Sequence, residues 1–174
     1  MSFSLSKASI PVFEIGLTAL SGILDKGAAF AAAKKIDPSV LLNTRLSPDM
    51  FPLGRQVQVV ADQAKNGMAR LAGVEPPRYE DNETTFDDLK ARLAKTIAYL
   101  KTLDTKAIDA ASDREITFPL GPTNKGHMSG SDYLNYFVLT NYYFHFTTAY
   151  AILRHCGVDV GKRDFLAGIP IRRS

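Results

Sequence analysis

The sequence predicts an all-α protein, one domain built as a four-helix bundle, and three observations carry that prediction. Four long segments place apolar side chains three and four residues apart, the spacing that gathers them on one helix face. The alternation typical of strands is confined to Glu115–Leu120, ahead of the last helix. No repeat, low-complexity tract or linker divides the 174 residues, a length that builds a core without disulfide or metal staples.

The first helix is expected from about Ser9 to Ala33, with Ser9 as N-cap and Pro11 in the first turn. Its stripe is Ile10, Phe13, Leu17, Leu20, Leu24, Ala28 and Ala31. Gly16, Gly22 and Gly27 each weaken such a helix by about 1 kcal/mol against Ala, or mark places where a neighbour comes close. Asp37-Pro38 and Ser47-Pro48 are successive helix-start signals. They predict a short turn over Ser39–Asn43, then a long helix from about Pro48 to Leu71 stopped by Gly73. Met50, Leu53, Val57, Val60, Ala64, Met68 and Leu71 form its inner stripe.

Val74 to Asn82, with Pro76-Pro77, is an extended crossing too rich in proline to be helical. The third helix starts near Thr84 or Thr85, each followed by an aspartate at capping-box distance, and turns Phe86, Leu89, Leu93, Ile97, Leu100 and Leu103 inward. Glu115–Leu120 reads as a short strand or hairpin arm, held to an edge by Pro119; Gly121, Pro122, Gly126 and Gly130 predict loop for the remainder. The fourth helix begins at Ser129 or Ser131 and ends with Gly157 past its C-terminus. Leu134, Phe137, Val138, Asn141, His145, Thr148, Ala149, Ile152 and Cys156 share its expected inner side, and Val158–Ser174 reads as a wrapped coil anchored by Phe165 and Leu166.

Composition excludes several function classes. The 21 Lys and Arg against 18 Asp and Glu leave a net charge of +3, too little and too scattered for nucleic acid. The local basic clusters are Lys34-Lys35, at a helix C-terminus where cations are favourable, and Arg172-Arg173. No apolar run is expected to span a membrane. Glu14 and the helical period of Ile10–Leu24 argue against a signal sequence. A lone cysteine, Cys156, permits no internal disulfide and points to a reducing, cytoplasmic home. It lies at the end of a helix that disfavours a thiolate, so packing is its expected role. No Gly-x-Ser-x-Gly elbow or phosphate-binding glycine loop is present.

The chemistry is expected on the fourth helix. Asn141 and His145 are four residues apart on an otherwise apolar stripe, so both point toward the same space. An imidazole buried there needs a hydrogen-bond partner: Asn141, Gln56 or a tyrosine. Aromatics on several faces of this helix, from Tyr133 to Tyr150, imply neighbours on several sides, one of them a second subunit.

This helix resembles the last bundle helix of the DinB/YfiT-like superfamily of metalloenzymes. That pattern runs His-x-x-x-His-Arg-Gly-Gln and ends Leu-Leu-Arg before a glycine. Here Asn141 takes the first histidine's place and His145 the second's; Phe146, Thr147 and Thr148 replace Arg-Gly-Gln, and Ile152, Leu153, Arg154 and Gly157 match the ending. Arg45–Leu53, Asp62–Lys65, Arg70–Gly73 and Gly161–Leu166 are similar to an uncharacterised domain family grouped with DinB-like bundles, across nearly the whole chain. The resemblance implies a homodimeric DinB-like bundle. It also implies a metal held by three histidines, of which only His145 survives, with Gln56 as the residue expected at the second-helix position. Asn and Gln amides are poor ligands for zinc or nickel. The expected site is thus a small polar pocket of His145, Asn141, Gln56 and Thr148 that binds a small molecule, without a cofactor. The alternative is a metal- or thiol-dependent transferase, its divalent transition metal completed by His127 or by a carboxylate from Asp49, Asp62 or Glu14.

Overall fold

A computed structural model describes residues 4–171; Arg172-Arg173 lies outside the described residues. The bundle helices are α1 (Leu5–Lys34), α3 (Leu53–Ala72), α4 (Phe86–Leu100) and α7 (Leu139–His155). Short turns α2 (Pro38–Leu42) and α5 (Thr105–Asp109) fill two connections. An antiparallel hairpin of β1 (Glu115–Leu120) and β2 (Asn124–Ser129) precedes the last helix, pairing Thr117 with His127. That helix enters through α6 (Gly130–Asp132) and a wide π-type turn, Tyr133–Val138, and α8 (Lys162–Phe165) closes the chain.

Boundaries depart from expectation where proline and serine act differently. α1 begins at Leu5, and the hydroxyl of Ser9 donates back to the Leu5 carbonyl at 2.6 Å instead of capping. Pro11 sits inside the helix on its exposed side. α1 is also long and apolar enough, by length and composition alone, to cross a membrane, contrary to the expectation above. Its Ala, Leu and Ile residues raise its hydropathy, and Phe13, Leu17, Leu20, Ile23 and Leu24 among its apolar residues are buried in the bundle. α3 starts at Leu53, later than Pro48, because Pro52 forces Phe51 toward extended backbone and itself stands extended as the N-cap. The Thr85/Asp88 capping box opens α4 as expected. Gly126, expected in a loop, belongs to β2 and lies against the Phe118 ring. The tail is more ordered than a coil: Phe165 of α8 stacks on Phe146 with ring centroids 4.1 Å apart, while Leu166 is exposed.

α3 lies between α4 and α7, and α1 packs chiefly on α4. Two glycines permit the closest packing. A methyl on Gly16 would run into the Tyr142 hydroxyl, and a Cβ on Gly67 would come within 2.5 Å of Val138. The Tyr142 hydroxyl is enclosed, with no hydrogen-bond partner among the described residues. Gly22, by contrast, faces open space.

The proline-rich crossing between α3 and α4 is fastened by one buried guanidinium. Arg92, on α4, has a side chain 2% exposed and meets Glu83 at 2.8 Å, Asp62 at 2.9 Å and Asp81 at 3.0 Å. It also donates to the Glu80 carbonyl at 3.0 Å. Burial opposes its charge, but Glu83, Asp62 and Asp81 outweigh that and raise its pKa. Removing the guanidinium leaves Glu83, 10% exposed, without a cation beside it and takes from Asp62 and Asp81 one of two cationic partners. Arg92→Leu is expected to destabilise the fold by about 3 kcal/mol, read as a drop in the urea-unfolding free energy; a loss within a few tenths would contradict this account.

Candidate functional site

The four residues named from the sequence occupy two helices: Gln56 in the first turn of α3, and Asn141, His145 and Thr148 along α7. α3 and α7 form the most extensive helix pair of the bundle. Their contact turns a buried Gln56 toward a half-buried His145.

His145 Nδ1 lies 2.6 Å from Gln56 Oε1, and Gln56 Nε2 donates to the Phe51 carbonyl at 3.0 Å. The second bond orients the amide with its oxygen toward the ring. An amide oxygen only accepts, so Nδ1 carries the proton and Nε2 keeps its lone pair. The Phe51 ring lies 6.3 Å from the imidazole and 22° from parallel; Phe144 stands edge-on at 5.1 Å. Arg55 follows on the Phe51 side, its guanidinium 5.7 Å from that ring's centre. Burial, and after it the charge of Arg55, hold the imidazole below its ordinary pKa. The arrangement is a neutral, oriented imidazole between aromatic rings, able to accept a hydrogen bond or a proton at Nε2.

The other two predicted residues serve their own helix. Asn141 Nδ2 donates to the Phe137 carbonyl at 2.7 Å, and Thr148 Oγ1 to the Phe144 carbonyl at 2.7 Å. Thr148 also lines a shallow trough with Leu46, Tyr143 and Phe144. Of the partners open to His145 in the sequence, the structure selects Gln56.

The remaining candidate ligands are elsewhere. His127 is exposed on β2, 3.2 Å from Thr117 Oγ1 and 3.5 Å from the Glu115 carboxylate, and does not fold over the site. Asp62 belongs to the Arg92 cluster, and Asp49 accepts from Ser47 at 2.7 Å. Glu14 lines a cleft between α1 and the C-terminal segment. Among the described residues no three His, Cys, Asp or Glu side chains stand together as a metal set. One imidazole and neutral amides do not fit a three-histidine ion. Phe51 and Arg55 are the site residues the sequence reading missed. Their signal was position alone, at the start of the helix that carries Gln56.

The pH dependence follows from the lowered pKa of His145. Above an ordinary histidine value of about 6.5 the ring is neutral in both states. As pH falls through that value the unfolded chain takes up the proton first, so stability falls toward the lower, folded-state pKa. Unfolding free energies measured from pH 7.5 to 5 should decline more steeply in the wild type than in His145→Gln. Parallel curves would refute the assignment.

Residues 5–166 match a family described as a domain of unknown function, DUF1993. Among curated proteins, none matches the chain. Its structure is similar to the crystal structure of a DinB family member protein from Shewanella denitrificans, with a TM-score of 0.90 and 40% sequence identity. That similarity covers 98% of this chain and 96% of the other. The pairing of helices around α3, the hairpin before the last helix and this match over nearly all its length agree: the chain belongs to the DUF1993 family, an uncharacterised family of DinB-like helical bundles.

Proposed function

We propose that this protein binds a small polar molecule at the Gln56–His145 pair, as a homodimer, and that the pair stands in place of a three-histidine metal centre. The carrying observation is the chain of bonds from the Phe51 carbonyl through Gln56 to His145 Nδ1. It commits the amide to orienting the ring, as the hydrogen-bond partner of a metal-bound histidine's free nitrogen does, and leaves Nε2 as the acceptor. A ligand offering an N–H or O–H group between Phe51 and Phe144 suits that acceptor, and an acidic donor would surrender its proton there.

Metal analysis tests whether the pair stands in place of a metal centre. Purified protein should carry zinc, nickel and manganese far below one equivalent, and none of them should raise its melting temperature, because tight native-state binding must stabilise. Near-stoichiometric metal that is lost in His145→Ala would overturn the proposal and restore the transferase reading.

The dimer is supported by apolar side chains facing outward on α7 and on the connection that leads into α3. Leu46, Phe51, Tyr143 and Phe144 are all exposed, Phe144 by 57%, and a large exposed apolar patch is what an interface buries. Sedimentation should give a dimer that Phe144→Asp dissociates. A monomeric wild type would exclude this part of the reading.

A further inference from the structure

A second polar feature lies on the opposite flank of α3. Three cations converge on the ring of Tyr79, in the proline-rich crossing: Lys65 Nζ is 4.0 Å, Lys95 Nζ 4.2 Å and the Arg92 guanidinium carbon 5.4 Å from its centre. Like charges this close need counter-charge. Asp62 answers both Lys65, at 3.0 Å, and Arg92, at 2.9 Å; Glu83 and Asp81 complete the shell of Arg92. Lys95 has no carboxylate partner among the described residues, and neither has Arg78.

Both unpaired cations line one cleft of about 520 Å³ between the crossing and α4, together with Tyr79, Glu80, Glu83 and Arg92. Its acidic groups are largely engaged. Glu83 accepts from Arg92 at 2.8 Å and from Gln58 at 2.9 Å. Asp88 accepts from the amides of Thr84 and Thr85 at 3.1 and 3.0 Å. The carboxylate of Glu80 has no donor among the described residues, and Asp88, at the N-terminus of α4, is held only by uncharged donors, so these two acidic groups oppose an anion while Glu83 is paired with Arg92. The enclosed Nε of Arg92 finds no acceptor among the described residues, which leaves a donor uncompensated in the cleft wall.

We propose that this cleft binds a small phosphate-class anion, with Lys95 and Arg78 supplying the opposing charge and the Arg92 cluster holding the crossing in place. Arg92 is not itself the anchor, because its terminal nitrogens are already taken by carboxylates and the Glu80 carbonyl. The site is separate from His145, so neither reading depends on the other.

The test is a titration of the whole ¹⁵N-labelled chain with inorganic pyrophosphate, against sodium chloride at matched ionic strength. Saturable amide shifts are expected at residues 78–83 and 91–95. Lys95→Gln should weaken binding about tenfold, the loss of one charged hydrogen bond. Glu80→Gln should tighten it, and His145→Gln should leave it unchanged. Lys95 and Glu80 are exposed, so both variants should keep the wild-type circular dichroism. Shifts that match those in sodium chloride, or equal affinity in Lys95→Gln, would overturn the proposal.

Discussion

The close contact of α3 with α7 is the constraint on which the polar architecture depends. Gly67 allows the approach where α7 begins, because any side chain there would collide with Val138, the last residue of the π-type turn that leads into it. With the two helices that near, Gln56 can span from the Phe51 carbonyl to the imidazole of His145. The other side of α3 presents Gln58, Asp62 and Lys65 to α4 and the proline-rich crossing. One helix thus carries an uncharged hydrogen-bond chain on one flank and a compensated ionic cluster on the other. The two flanks differ in cost. A satisfied amide–imidazole pair gives up little solvation, whereas a buried guanidinium requires its carboxylates at hand.

Much of this was legible in the sequence because the signals were local. The stripes Phe13–Leu17–Leu20–Leu24 and Val57–Val60–Ala64–Met68 are buried as their spacing requires. The strand assigned to Glu115–Leu120 has the observed bounds, and Gly157, with φ of 90°, ends the last helix where a left-handed residue was needed. The inner face of that helix was legible only in part. Tyr142 and Phe146 are buried beside α1 and Phe13, while Asn141 and His145 lie at the margin of the core. The π-type turn at Tyr133–Val138 shifts the phase of side chains across it, so a stripe drawn at uniform spacing from Leu134 to Cys156 mixes two faces.

The Arg92 cluster escaped the sequence reading for a different reason. Its members come from α3, the crossing and α4, and no spacing rule links Asp62, Asp81, Glu83 and Arg92. A weak signal did exist. Arg92 falls beside Leu89 and Leu93 on the inward side of α4, and an acidic stretch precedes it. Gln56 shows the complementary case, since the resemblance put it near the site while only the folded chain supplied its register. The same holds for Asn141, whose amide bonds to Phe137 although its position in the sequence placed it beside His145.

The widened turn leading into α7 carries a consequence for how such chains diverge. Its hydrogen bonds reach five residues back, so it holds one residue more than a regular turn of the same helix. Loss of a single codon there would return the backbone to ordinary winding with no break in its ladder. Everything upstream would swing about 100° around the axis, carrying Tyr133 away from Phe118 and Arg70. Length variation at this point is therefore a discrete steering device: one insertion re-aims the opening turns of the helix while leaving the residues beyond it undisturbed.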